Sequence, residues 1–213
     1  MVFKKENIEY RKKRTAIIIF TVLLLLAIYL FKDASYALRS ISSIAFVVLF
    51  YVIGHFFDIR FKRRHYFYII LIAIFSFLLS PLYFLYPNYD KIQHIIQPMF
   101  TCSIIFYMIS KLHLELKWKI VFTFFIVAAI LGLFEIGEFI LDSFFNYKLQ
   151  GVFLRDIHGI EKFRLLMDPL KDTMIDMLFG VLGAGMYCIT FAFVMRRKLR
   201  KIYSGLIEKD RFK

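Results

Sequence analysis

The stretch Ile120–Leu141, IVFTFFIVAAILGLFEIGEFIL, decides the fold class. Its 22 residues include no basic side chain, and Thr123 is the only polar residue before Glu135. An α-helix of that length crosses the hydrocarbon core of a bilayer, which is about 30 Å thick. The stretch therefore predicts a transmembrane helix that carries two acids, Glu135 and Glu138, near one of its ends.

Similar apolar runs elsewhere in the chain predict an all-α, polytopic membrane bundle with six transmembrane helices. Of the 213 residues, 60% are hydrophobic, whereas soluble chains hold about 45–50% apolar residues. The length suits a single membrane domain over residues 1–213. The first run also fits a signal peptide, but six spans favour an uncleaved anchor. The runs are Thr15–Phe31, Ala37–Phe57, Tyr66–Tyr86, Ile92–Ile109, Ile120–Leu141 and Thr173–Met195.

The basic residues predict how the chain is oriented. The net charge is +13, but the lysines and arginines lie between and beside apolar runs, so they indicate topology rather than nucleic-acid binding. Of the 29 Lys and Arg residues, 21 fall on one side of the six predicted spans and 8 on the other. The positive-inside rule then places both termini in the cytoplasm, with the chain in the cytoplasmic (inner) membrane. The one long loop, Ser143–Lys171, lies outside.

Acidic residues inside three of the runs predict a common site. An ionisable residue in a spanning helix costs about 2.5–3.5 kcal/mol on insertion scales. Spacings of three or four residues put the acids of each helix on one face, and alternating topology puts all three faces at the same membrane depth, near the outer surface. Gly180 and Gly183 continue the acidic face of the sixth helix and allow close helix packing. The predicted site residues are Asp90, His94, Glu135, Glu138, Asp172 and Asp176.

Carboxylates with one imidazole are typical ligands of a divalent cation such as Mg²⁺, Mn²⁺ or Zn²⁺. Such an ion polarises a phosphoryl group or activates water. In this hypothesis His94, positioned by Asp90, acts as a general acid or base or as a ligand. The candidate metal ligands are His94, Glu135, Glu138, Asp172 and Asp176.

Other interpretations of the same residues stay open. Membrane-embedded carboxylates also serve proton relays, so a small proton- or ion-coupled transporter fits them too. A purely structural salt-bridge network is the third possibility, because several cations lie near the acids in sequence. Asp168, followed by Pro169, has the pattern of a helix N-cap, and Asp90 is a second candidate cap. The candidate partner cations are Lys91, Arg155, Lys162, Arg164 and Lys171.

The remaining histidines and the two cysteines give weaker signals. His158 is a candidate to reach the site from the outer loop, where an amphipathic stretch, Glu161–Leu170, follows it. Cys102 and Cys188 lie inside apolar runs and are predicted to be small core residues rather than a disulfide or a metal pair. The other histidines are predicted near the cytoplasmic surface: His55, beside Asp58, at the inner end of the second helix, and His65 and His113 in basic loops.

Three short motifs resemble a known family. Tyr89–His94 (YDKIQH), Glu135–Glu138 (EIGE) and Asp172–Met177 (DTMIDM), followed by Gly183-Ala184, are similar to those of the YjdF-like family of small inner-membrane proteins and, more distantly, to VanZ-like proteins. The resemblance covers roughly Tyr83–Tyr187. It implies a multi-pass membrane protein with these acids in its site, and the VanZ-like relation implies an envelope role by analogy.

Taken with the residues, the motifs predict an integral membrane protein whose outer site acts on a polar headgroup or another envelope substrate. The bilayer is its one certain partner. Whether the chain is an enzyme, which lipid or envelope molecule it would take, and its oligomeric state stay open at this stage.

Overall fold

The computed structural model describes residues 35–79, 82, 83, 85–145, 148–155 and 163–211, with isolated positions between 11 and 26. These residues are mostly helical, which agrees with the predicted all-α membrane class. The first predicted span, Thr15–Phe31, falls largely outside the described residues. The elements are α1 (Ser35–Phe56), α2 (Arg63–Ala73), a π-helical turn (Ile74–Leu78), α3 (Tyr89–Ile109), α4 (Leu116–Phe145), β1 (Val152–Arg155), β2 (Phe163–Met167) and α5 (Pro169–Arg211).

Within the described residues, three helices are long and apolar enough to cross a membrane: Tyr89–Ile109, Leu116–Phe145 and Pro169–Lys198. They correspond to the fourth, fifth and sixth predicted spans and extend each of them by three or four residues at one or both ends. In α1 the apolar segment Ser43–Phe56 is shorter. The prediction of a membrane helix is thus confirmed for the second half of the chain, whereas the total of six spans is not.

The third predicted span, Tyr66–Tyr86, is not one continuous helix. The α-helical part ends at Ala73 and continues only as the π-helical turn Ile74–Leu78. The sequence places Pro81 shortly after this turn. Proline disfavours helical geometry at the preceding residue and cannot donate to the helical ladder, so a helix rarely continues through it.

The chain divides into two compact units, Met1–Leu82 and Tyr83–Lys213. In the first, Phe50 of α1 stacks on Phe61 at 4.4 Å between ring centroids and meets the edge of Tyr66 in α2. His65, predicted to lie in a basic loop, is instead buried in the first turn of α2, where its Nδ1 accepts a hydrogen bond from the Lys62 N–H. His55, Asp58 and His113 are exposed.

The second unit is a bundle of α3, α4 and α5. A Cβ atom built on Gly183 of α5 would lie 3.0 Å from the Cα atom of Ile95 in α3, and one on Gly180 would lie 2.6 Å from a methyl carbon of Leu131 in α4. The glycines therefore allow the close approach of neighbouring helices that the sequence predicted.

An apolar layer lies deeper in this bundle. Cys102, Val127, Ala184 and Cys188 form its buried centre. Both cysteines are free and buried, in agreement with their predicted role as core residues. Cys102, Val127 and Ala184 each lie eight residues from a predicted site residue of the same helix, which corresponds to about 12 Å along a helix axis.

A short antiparallel hairpin interrupts the helical architecture within the predicted outer loop. β1 pairs with β2, with Phe153 opposite Leu165. The amphipathic stretch noted at Glu161–Leu170 therefore contributes a strand, Phe163–Met167, and then the start of α5. Residues 156–162 of this loop, including His158 and Lys162, lie outside the described residues.

Candidate functional site

The bundle brings the six predicted site residues to one end. Asp90 and His94 lie in the first turns of α3, Asp172 and Asp176 in the first turns of α5, and Glu135 and Glu138 in the last third of α4. All are buried except Glu138, which is half-buried. Since the beginnings of α3 and α5 meet the end of α4, all of them sit at one depth in the bundle.

The ammonium group of Lys91 lies at the centre of the cluster. Its Nζ donates to Asp90 Oδ2 at 3.0 Å, to Asp176 Oδ1 at 2.6 Å and to Asp172 Oδ1. The Lys91 side chain is only 11% exposed. A buried charge needs paired partners, and Lys91 obtains three, two of them from α5.

Asp90 is shared among three partners. Besides Lys91, its carboxylate accepts a hydrogen bond from the Tyr83 hydroxyl and lies 3.5 Å from His94 Nε2. Asp90 is therefore not the N-cap of α3. That position belongs to Asn88, whose side chain makes no capping hydrogen bond.

The second nitrogen of His94 faces α4. Its Nδ1 is buried and has no hydrogen-bond partner in the described part of the chain. It lies 4.0 Å from Glu135 Oε1. Glu135 itself is 4% exposed. His94 thus bridges the two parts of the cluster, with Asp90 on one side and Glu135 on the other.

The cluster carries more acids than bases. Glu138 lies within electrostatic range of Glu135, Asp90, Asp176 and Asp172. Within the described residues, five carboxyl groups therefore face one ammonium group and one imidazole. Since buried carboxylates without counter-charges are strongly disfavoured, this acid excess favours further positive charge at the cluster, from protons, a bound cation or another basic side chain.

Two carboxylates attach the hairpin to the site. Asp142 of α4 accepts hydrogen bonds from the backbone N–H groups of Leu149 and Gln150 at 2.8 and 2.7 Å. Asp172 accepts the Gly151 N–H through its second oxygen at 2.9 Å. Asp142 therefore has a structural role, and Asp172 links Lys91 to the segment that leads into β1.

Comparison with known proteins adds the family. A model for a family described as "Predicted membrane protein (DUF2238)" matches residues 13–197. The chain belongs to this family. No curated protein and no solved structure matches it. The DUF2238 description agrees with the three long apolar helices, and it assigns no activity.

In this DUF2238 chain the trio best placed for a metal ion differs from the predicted ligand set. One ligand atom each of Asp90, His94 and Asp176 lies within 4.8 Å of the others. The sequence analysis predicted that Asp90 positions His94 and did not include it among the metal ligands. Asp172 contacts Lys91 and Gly151 instead, and Glu135 lies behind His94.

Sequence reasoning missed the central role of Lys91 and the contact of Tyr83 with Asp90. Lys91 appeared only as one of five possible partner cations. A lysine directly before an apolar run and beside Asp90 was the available signal, but sequence spacing does not identify its partners on α5. The N-cap prediction for Asp168 is confirmed, because its carboxylate accepts the Lys171 N–H at 3.0 Å. The side chain of Lys171 is exposed.

Proposed function

We propose that this membrane protein binds a divalent cation in the acid cluster and uses it to bind or act on a polar headgroup, or another envelope substrate, at the outer surface of the membrane. The observation that carries the proposal is the buried trio Asp90, His94 and Asp176, whose ligand atoms lie within 4.8 Å of one another. Carboxylate oxygen and imidazole nitrogen together suit Zn²⁺ and Mn²⁺.

The surroundings of His94 support the same proposal. A histidine that binds a metal usually donates its other N–H to a carboxylate, which orients the ring. Here Nε2 faces Asp90, while Nδ1 lies 4.0 Å from Glu135 Oε1. In the proposal Glu135 is therefore a positioning residue for His94. Glu138, half-buried beside the cluster, is the group available as a base toward a substrate.

A transporter is the less favoured function. Ions that cross a membrane need polar groups along the whole path. Below the cluster, about 12 Å deeper, Cys102, Val127 and Ala184 form a buried apolar layer. Acidic groups gathered at one end of the bundle fit binding or catalysis better than passage.

One specific observation favours a second candidate, a structural subunit. Lys91 already pairs with three of the acids, and such a network needs no ligand. The structural candidate predicts that no cation changes the stability of the protein. The family resemblances agree with either role, because the proposed YjdF-like and VanZ-like relations name no activity for this site.

Thermal unfolding in mild detergent tests the proposal. We expect the midpoint of chelator-treated protein to rise with Zn²⁺ or Mn²⁺, since a ligand at 100 times its Kd stabilises the folded state by about 2.7 kcal/mol. Asp176→Asn should remove this rise. Asp168→Asn changes only the exposed N-cap of α5 and is the matched control. If Mg²⁺, Mn²⁺, Zn²⁺ and Ca²⁺ all leave the wild-type midpoint unchanged, the cation proposal fails and the structural candidate remains.

A further inference from the structure

We infer that Lys91 is a built-in competitor for the proposed cation site, so that a divalent ion enters only when the Lys91 ammonium leaves Asp90 and Asp176. The inference rests on the proposed function and adds how the occupancy of the site is controlled. It depends on three observations, which concern the shared carboxylates, the alternative position of Lys91 and the orientation of His94.

The first observation is that two cation positions share the same carboxylates. Asp90 and Asp176 belong to the trio with His94, and both also accept hydrogen bonds from Lys91 Nζ, at 3.0 and 2.6 Å. A divalent ion and an ammonium group that share these two carboxylates lie close enough for their positive charges to repel each other. Binding of one therefore weakens binding of the other.

The second observation is that Lys91 has another partner outside the trio. Asp172 accepts a hydrogen bond from Lys91, and its other oxygen is held by the Gly151 N–H. The flexible four-carbon stem of lysine allows its ammonium group to move while it remains bound to one acid. Lys91 can thus keep its bond to Asp172 when Asp90 and Asp176 turn to the ion.

The third observation concerns the imidazole ring of His94. Its side chain is 8% exposed, and its Nδ1 has no hydrogen-bond partner in the described residues. A buried polar atom without a partner costs free energy, which a native protein rarely leaves uncompensated without a functional reason. Coordination of an ion by Nε2 would draw the ring into a fixed orientation, with Nδ1 toward Glu135.

The ligand class follows from the donors. A divalent ion that accepts both imidazole and carboxylate, such as Zn²⁺ or Mn²⁺, fits the trio better than Ca²⁺, which prefers oxygen donors alone. Its charge of +2 also neutralises more of the acid excess than the single charge of Lys91. Because the ion neutralises more of the carboxylate charge, it can displace the Lys91 ammonium group from Asp90 and Asp176.

The test compares cation affinity in three full-length proteins in mild detergent. Wild type, Lys91→Met and Lys171→Met are titrated with Zn²⁺ and with Mn²⁺ by calorimetry. We expect Lys91→Met to bind about ten- to a hundredfold more tightly than wild type, because the ion no longer breaks charged hydrogen bonds on entry. Lys171→Met removes an exposed lysine and should bind as wild type does. Equal or weaker binding by folded Lys91→Met, with wild type binding normally, overturns the competition.

Wild-type protein supplies a second readout in case Lys91→Met does not fold. Reductive methylation followed by mass spectrometry reports how accessible each lysine amine is. Saturating Zn²⁺ should increase the modification of Lys91 severalfold and leave that of Lys171 unchanged. If Zn²⁺ binds but protects Lys91 or leaves it unchanged, the competition is refuted while the cation site stands. If neither ion binds wild type or any variant, the proposed function itself fails.

Discussion

Replacing Gly183 by alanine tests whether the close crossing of α3 and α5 holds the site together. The methyl group would lie 3.0 Å from the Cα and carbonyl carbons of Ile95 and nearer still to its carbonyl oxygen. These are backbone atoms of a helix, so no side-chain rotation can relieve the contact. The two helices must separate, and they must do so one turn from Lys91.

The expected cost follows from this contact. Overpacking a well-packed interior destabilises by about 1–3 kcal/mol. For a chain of this size each kcal/mol shifts the thermal midpoint by about 2–4 °C, so Gly183→Ala should lower it by about 2–12 °C. Because Lys91 reaches α5 across the same crossing, the loss should be accompanied by weaker pairing with Asp172 and Asp176.

Two glycines provide matched controls in the same bundle. Among the described residues, a Cβ atom on Gly132 would have no atom within 4 Å, and one on Gly185 would have only a Phe124 ring carbon, at 3.9 Å. Alanine at an open helical position stabilises by about 0.5–1 kcal/mol relative to glycine. The thermal unfolding midpoints of the three alanine variants, measured side by side in mild detergent, test whether the contact at Gly183 stabilises the bundle. A Gly183→Ala midpoint equal to or above that of Gly185→Ala would refute the reasoning.

Three further predictions concern charge and topology. Lys91→Met, studied by chemical denaturation without added metal, should lose about 3–5 kcal/mol of unfolding free energy because it leaves buried acids without their partner. The control Lys171→Met should stay within about 0.5 kcal/mol of wild type. Equal losses in the two variants would contradict the central role of Lys91. Glu138→Gln should abolish activity in any working assay yet insert normally, since removing a charge eases insertion; full activity would exclude Glu138 as a base. A reporter fused after Lys213 should be cytoplasmic and a cysteine at Tyr147 should label from outside; labelling of that cysteine only from the cytoplasm would reverse the topology.

Much of the site was predictable because its causes are local. Spacings of three and four residues along a helix put Asp90 with His94, Glu135 with Glu138, and Asp172 with Asp176, whatever the neighbours are. The cost of placing such groups against lipid turns these faces inward. The N-cap at Asp168 is equally local, since it depends on one side chain and the first turn that follows it.

Some features were not predictable because they depend on atoms distant in sequence. The sequence spacing does not distinguish the roles of Asp142 and Asp172. Asp142 binds the backbone of Leu149 and Gln150, whereas Asp172 binds both Lys91 and Gly151. The hairpin of the predicted outer loop could not be predicted either, because its strands are short and their pairing depends on the register of Phe153 with Leu165.

The sequence by itself determined that this chain has membrane-spanning helices, that three of them carry acids on one face, and that these faces meet at one depth. It did so because hydrophobic length and helical period act within a single helix. Only the tertiary structure decided that Lys91 lies at the centre of the acids and that Asp90, His94 and Asp176 form the closest trio. Those choices depend on how far each helix turns about its axis and how closely it approaches its neighbour, as where Gly183 meets Ile95.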